Sequence, residues 1–306
     1  MDVLDKMIIL DLAQNCRQSY QALARKYDIS LNAIKNRIQN LLDEDVLEFC
    51  IEPQVAMFDG NWAIAFITTT GEEDQKSFIK ELGENRMVNE VGTLSGNNYI
   101  IYAVYSGLEG FFEFNKFIRS LEPVKDTEVY QILMNRGVKV EISKKQLRIL
   151  HCLLDDPRMQ LSKIAECSGY SAKTVRRELN ELMESDGLLF GGRMHLNSSD
   201  SVAFIVQIEW DEQGSELQDI LKWLNTEFPK EYWVPLITVS RPIIFAIFLV
   251  ESVKEINPIV EKIKKATFVK SATSIMGNES YSFHDLRRYW LEEKFIEAGL
   301  SPHLTS

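Results

Sequence analysis

Residues 4–49 recur, recast, as residues 144–190, and nothing else in this 306-residue chain limits its fold as strongly. Met7-Ile8-Ile9-Leu10 lies on Leu147-Arg148-Ile149-Leu150. With one residue gained near Pro157, Leu23-Ala24 falls on Ile164-Ala165 and Ser30 on Ser171. Ile34, Ile38 and Leu41 fall on Val175, Leu179 and Leu182. Matching apolar positions around a small-residue turn mean one supersecondary unit used twice. Each copy reads as helix, helix, tight turn, helix and short strand pair. That is a winged helix-turn-helix, and it makes duplex DNA the first partner to consider.

In the first copy the expected helices are 3–14, 20–27 behind a Ser19 cap, and 31–43 behind a Ser30 cap, with a strand at 46–51. In the second they are 144–154, 161–167 and 172–185, with Ser168-Gly169-Tyr170-Ser171 as the turn. Residues 188–196 read as a wing hairpin with Gly191-Gly192 at its tip. After the first copy the pattern becomes strand 62–70, helix 74–82, strand 87–94, turn Ser95-Gly96-Asn97-Asn98, strand 99–105, helix 108–121 and strand 127–138. After the second it becomes strand 202–210, helix 216–228, strand 234–239, turn Ser240-Arg241-Pro242, strand 243–250, helix 253–266 and strand 268–276. The order βαββαβ is the ferredoxin-like plan. The fold class expected is therefore α+β, two winged helix-turn-helix domains (1–55, 142–198) alternating with two βαββαβ domains (60–139, 200–278). A helical tail follows at 279–306, with Phe283, Leu286, Tyr289, Trp290 and Phe295 as its apolar stripe. It docks on the chain's own body or on a partner, and self-docking is the expectation because exposed aromatics tend to be covered.

Composition excludes little beyond a membrane span, since no apolar run approaches the roughly 18 residues one requires. The acidic amino end carries no secretory signal, so a cytoplasmic protein is expected. Cys16, Cys50, Cys152 and Cys167 form no C-x-x-C pair and are expected as free thiols. His151, His195, His284 and His303 do not cluster with them, so neither a metal nor a cofactor is expected. The net charge of −11 opposes phosphate binding, but local charge decides. Residues 143–197 hold nine Lys/Arg against seven acids, whereas 1–52 hold six against nine. The second copy is electrostatically the better candidate for DNA.

A recognition helix needs one buried face and one face of donors. In the first copy Asn32, Lys35, Asn36 and Gln39 remain outside the apolar face. In the second they are Lys173, Arg176, Arg177 and Asn180. Asn and Gln suit adenine, and Lys and Arg suit guanine or phosphate. Ser30 and Ser171 stand where helix-start N–H groups meet phosphate. Arg193, at the expected wing tip, would follow the adjacent backbone. Such side chains also serve as an ordinary solvated face, and winged helices also bind proteins.

A winged helix-turn-helix followed by βαββαβ is the layout of the Lrp/AsnC (feast/famine) transcription regulators. The first half resembles them in Leu4-Asp5-Lys6, Ile9-Leu10, Leu23-Ala24, Ile29-Ser30, Arg37 and Leu41. The second half does so in Ile149-Leu150, Ile164-Ala165, Tyr170-Ser171, Leu182 and Gly187-Leu188, with Glu178 replacing the arginine. The resemblance implies dimerisation through βαββαβ domains, as a homodimer or as a pseudo-dimer within one chain. It also implies an amino-acid effector at the turn between the middle strands, here Gly92, Ser95, Gly96, Asn97, Asn98 and Tyr99. Tyr99 takes the place of the family's acidic residue. In the second copy that turn has no glycine, and Arg241 is its only candidate for an anion. Siroheme decarboxylases resemble the same family and offer an enzymatic rival, with His151 and His195 as the residues to suspect. His151 lies in a helix stripe and His195 in a wing, without a clustered acid, base or nucleophile. A non-enzymatic DNA-binding regulator is therefore the expectation, with an interaction module as a further alternative.

Overall fold

The computed structural model describes residues 1–195 and 201–302, which form two compact units. One unit holds both winged-helix segments and the tail from Leu286 on, and the other holds both βαββαβ domains. Leu196 of the expected wing and His303 lie outside the described residues. Among the described residues no helix is long and apolar enough to cross a membrane.

In the winged-helix unit the first copy is α1 (Val3–Gln14), α2 (Tyr20–Lys26), α3 (Leu31–Asp43) and β1 (Leu47–Pro53). The second copy is α6 (Lys144–Leu153), α7 (Leu161–Ser168), α8 (Ala172–Glu184) and β6 (Leu188–Met194). The backbone repeats the duplication. Asp28 (φ 53°) and Gly169 (φ 73°) take the left-handed conformation at the turn before α3 and α8, and Asp45 and Asp186 (both φ 52°) take it after them. These are residues that tolerate that region.

The wing departs from expectation. β6 does not fold back on itself as a hairpin; it pairs antiparallel with β1, with Cys50 opposite Gly191 and Phe49 opposite Gly192. The two glycines are mid-strand, not at a tip. A Cβ on Gly191 would stand 2.1 Å from the Ala13 carbonyl oxygen, and one on Gly192 would stand 2.7 Å from Leu47 Cδ1. Close approach of the other copy, not a turn, is what requires them.

The cysteine expectation is also corrected. Cys152 on α6 and Cys167 on α7 form a disulfide, with Cα atoms 6.1 Å apart, while Cys16 and Cys50 remain thiols. Helix packing brings the pair together, and no local motif announces it. The tail helix α11 (Leu286–Glu297) docks on the chain's own body through Phe295 and Trp290 of the expected stripe and through Arg287 and Leu291 beside it; Leu291 and Phe295 are fully buried in the core of the second copy. Phe283 instead packs in the other unit, against Gly83.

The sheet unit contains β2 (Gly60–Thr69), α4 (Gln75–Gly83), β3 (Val88–Leu94), β4 (Asn98–Ser106), α5 (Gly107–Ser120) and β5 (Val124–Leu133). It repeats as β7 (Val202–Trp210), α9 (Leu217–Glu227), β8 (Tyr232–Thr238), β9 (Ile243–Val250), α10 (Ile256–Lys264) and β10 (Val269–Ser282). The second βαββαβ domain thus runs to Ser282, past the expected boundary at 278. The strands close into one barrel in the order β10-β3-β4-β2-β5-β8-β9-β7, so the two domains pair within the chain. Alternation along each strand sends one face to the helices and the other inward. Ala63, Ala65 and Ile67 pack under α4 and α5, whereas Ile64, Tyr130, Ile205 and Phe245 fill the barrel. Eight strands leave an interior that side chains can fill.

Candidate nucleic-acid interface

α3 begins where Ser30 Oγ accepts the Ala33 N–H at 3.1 Å. Ile34, Ile38 and Leu41 face inward, and Asn32, Lys35, Asn36 and Gln39 are exposed. Gln39 Nε2 donates to Asp43 at 2.7 Å, and Arg37, one of the family-like positions, is turned onto Asp5 at 2.6 Å. α8 begins in the same way, with Ser171 Oγ accepting the Thr174 N–H at 3.2 Å. Val175, Leu179 and Leu182 are buried, and Lys173, Arg176, Arg177 and Asn180 are exposed. Arg177 is not a free charge: it bonds to the buried carboxylate of Glu178 at 2.5 Å and approaches Glu181 at 3.6 Å. The Glu178 bond is the main cause holding its guanidinium above the usual range.

Two of the bases counted for the second copy are consumed inside the unit. Arg193 is not at a wing tip. Its Nε donates to Glu52 at 2.8 Å, and Arg287 donates to the other oxygen of that buried carboxylate. Arg158 donates to the Cys16 carbonyl and, at 3.1 Å, to the Gln18 carbonyl, and it lies 4.4 Å from the Tyr20 ring centroid. Neither residue is recognisable as structural from its own neighbours. The usable signal is that Arg17 and Arg158, like Glu52 and Arg193, fall on equivalent positions once the inserted residue is counted.

The six residues of the expected effector turn are divided. Ser95, Gly96 and Asn97 are exposed at the β3–β4 hairpin, and Gly96 supplies its positive φ of 74°. The Ser95 N–H already bonds to the Met276 carbonyl at 3.0 Å. Asn98 accepts from Thr68 Oγ1 at 2.7 Å. Gly92 is buried between strands, where a Cβ would meet Ile100 Cγ2 at 2.8 Å. Tyr99 packs edge-on to Phe78, its hydroxyl donating to Glu73 at 3.1 Å. Arg241 is exposed.

The histidines stand apart. The His151 ring meets Phe295 edge-on, and its Nε2 lies 2.8 Å from the Ser301 carbonyl oxygen. His195 Nε2 lies 3.4 Å from Glu48 Oε2, and that contact is the main cause holding the Glu48 carboxyl below its ordinary value. Among the described residues no three His, Cys, Asp or Glu side chains converge as metal ligands.

A family model described as winged helix-turn-helix DNA-binding matches residues 1–48 and 142–186. The crystal structure of the siroheme decarboxylase NirDL aligns over 97% of this chain and 99% of its own, at 13% identity and TM-score 0.56. Its co-complex with an iron-uroporphyrin III analogue aligns over 96% and 99%, at 13% identity and TM-score 0.57. E. coli AsnC aligns over 46% of this chain and 97% of its own, at 18% identity and TM-score 0.33. No curated protein matches the chain. The chain-long likeness to an enzyme leaves the expectation of a non-enzymatic protein unsupported, because a fold does not by itself fix a function. The chain is a tandem of winged helix-turn-helix units and βαββαβ domains.

Proposed function

We propose that the chain is a transcription regulator of Lrp/AsnC type that binds duplex DNA through α3 and α8. One observation carries this reading. Two helices of a single unit, each capped by a serine, leave a donor-bearing face open: Asn32, Lys35, Asn36 and Gln39 on one, Lys173, Arg176 and Asn180 on the other. Asparagine and glutamine match the adenine edge in the major groove, while lysine and arginine match guanine or phosphate. The pairing of β1 with β6 supplies within one chain the two-unit arrangement that other helix-turn-helix proteins obtain by dimerising. A selection of bound fragments from genomic DNA, followed by anisotropy titration of an enriched duplex, tests the reading. Enrichment of a shared sequence with salt-dependent affinity supports it; no enrichment and no binding at low salt refutes it.

A second reading is favoured by the chain-long likeness to the siroheme decarboxylase: a tetrapyrrole-acting enzyme. Addition of siroheme would then shift its absorption band on binding and release carbon dioxide. That outcome, without duplex binding, replaces the regulator reading.

A further inference from the structure

A cavity of about 510 Å³ opens within the winged-helix unit beside α6 and α11, lined by none of the open donors of α3 and α8. Its size falls in the range of small-molecule sites. Met57, Ile142, Leu147 and Trp290 give it apolar walls. The Trp290 indole lies beside Phe58, ring centroids 6.4 Å apart and planes tilted by 37°, and the Lys294 ammonium stands 5.8 Å from the Trp290 ring centroid. Lys139, Lys144 and Lys294 stand around it with Glu141 and Glu297, an excess of cations over acids. Lys139 pairs with Asp59 at 3.0 Å and Lys294 with Glu297 at 2.7 Å, both partly or fully exposed pairs of the kind that opens at little cost. Lys144 makes no ion pair among the described residues. Apolar walls with a flat indole disfavour a hydrophilic ligand, and the lysines disfavour a cation.

We infer that this cavity binds a flat aromatic acid, its ring system against Trp290 and its anionic group toward Lys139 and Lys144. The walls come from α6, α11 and the segment leading into α6, so an occupant braces the tail helix against the first helix of the second winged unit.

The test is fluorescence titration of the full chain with 1-anilinonaphthalene-8-sulfonate, an aromatic anion. The expected result is saturable binding at one site per chain. Lys139→Glu/Lys144→Glu, which alters two exposed side chains, should weaken it at least tenfold with an unchanged circular dichroism spectrum. N-phenyl-1-naphthylamine, the probe without its sulfonate, should also bind at least tenfold more weakly. Ala298→Phe, which fills the cavity, should abolish binding while leaving the circular dichroism spectrum unchanged. Absence of binding, equal affinity in the double variant, or equal affinity for the neutral probe overturns the proposal. None of these readouts depends on DNA, so the regulator reading stands or falls separately.

Discussion

Arg17 and Arg158 hold equivalent places in the two duplicated segments, and each guanidinium bonds to the carbonyls that flank the other. Arg17 donates to Pro157 and, at 3.0 Å, to Met159, while Arg158 donates to Cys16 and, at 3.1 Å, to Gln18. The β ladder has the same symmetry, centred on Cys50 and Gly191. Both copies are therefore shaped to meet each other.

Hydrogen bonds from a charged donor are worth roughly 1.5–3 kcal/mol each. Arg158→Ala removes two of them together with the stacking on Tyr20, and should lower unfolding free energy by about 3 kcal/mol. Arg17→Ala should cost slightly less, and the double variant less than the sum, because the two sites share one interface. Urea unfolding monitored by circular dichroism measures all three; strict additivity would show that the two arginines act independently.

Glu52 and Arg193 are likewise equivalent positions, yet they carry opposite charges and pair with each other. Two identical subunits would bring like charges together here, so this pair suits the fused form. The buried Glu52 carboxylate also receives Arg287 from α11. Glu52→Gln removes the buried negative charge that Arg193 and Arg287 share and should destabilise the winged-helix unit by about 3–5 kcal/mol. A thermal unfolding transition unchanged from wild type would contradict this.

At one place the copies are tied differently. Asp11 and Lys26 join α1 to α2 by an ion pair at 2.6 Å, and the Cys152–Cys167 disulfide joins α6 to α7. Closing a 15-residue separation stabilises by roughly 3 kcal/mol in the chain-entropy model. Cys152→Ser/Cys167→Ser should lose about that much, and a dithiol reductant should reproduce the loss in wild type but not in the variant. Lys26→Ala, at a half-exposed pair, should cost under about 1 kcal/mol.

Glu73 gives the sheet unit a pH dependence. Burial works to raise its carboxyl, but hydrogen bonds from Thr69, its own N–H, Tyr99 and the Gly71 N–H outweigh burial and hold it below the usual carboxylate range. A depressed folded value means stability that is present above the unfolded carboxylate pKa and lost as pH falls through the folded one. Glu73→Gln should therefore be less stable than wild type by about 1 kcal/mol at neutral pH. The two curves should converge in acid below the unfolded carboxylate value. A constant gap down to the lowest pH would show that the charge is irrelevant.

The winged-helix copies are legible in the sequence because their signals are local. Ser30 and Ser171 cap as the sequence suggests, and the apolar spacing of Ile34, Ile38 and Leu41 matches that of Val175, Leu179 and Leu182. The exposed faces of α3 and α8 follow from that spacing alone. What the sequence hides depends on partners far along the chain. A seven-residue strand with two central glycines looks like a hairpin until its partner, β1, is known. The closure of eight strands into a barrel, the disulfide, and the turning of Arg158 and Arg193 inward have the same origin. Glu178 illustrates the mechanism: a charge on the buried side of α8 is tolerated because Arg177 folds over it, which removes that arginine from the open face.

The most direct test of duplex recognition is the salt dependence of binding by wild type and by Lys173→Glu/Arg176→Glu, measured on one enriched duplex and one unrelated duplex. Both side chains are exposed and neither makes an ion pair among the described residues, so the fold should be unaffected. The predicted result is weaker binding to both duplexes, with the slope of log affinity against log salt shallower by roughly 1 for each phosphate that is no longer neutralised. Unchanged affinity and slope in the variant, or no duplex binding by wild type at low salt, would contradict the account.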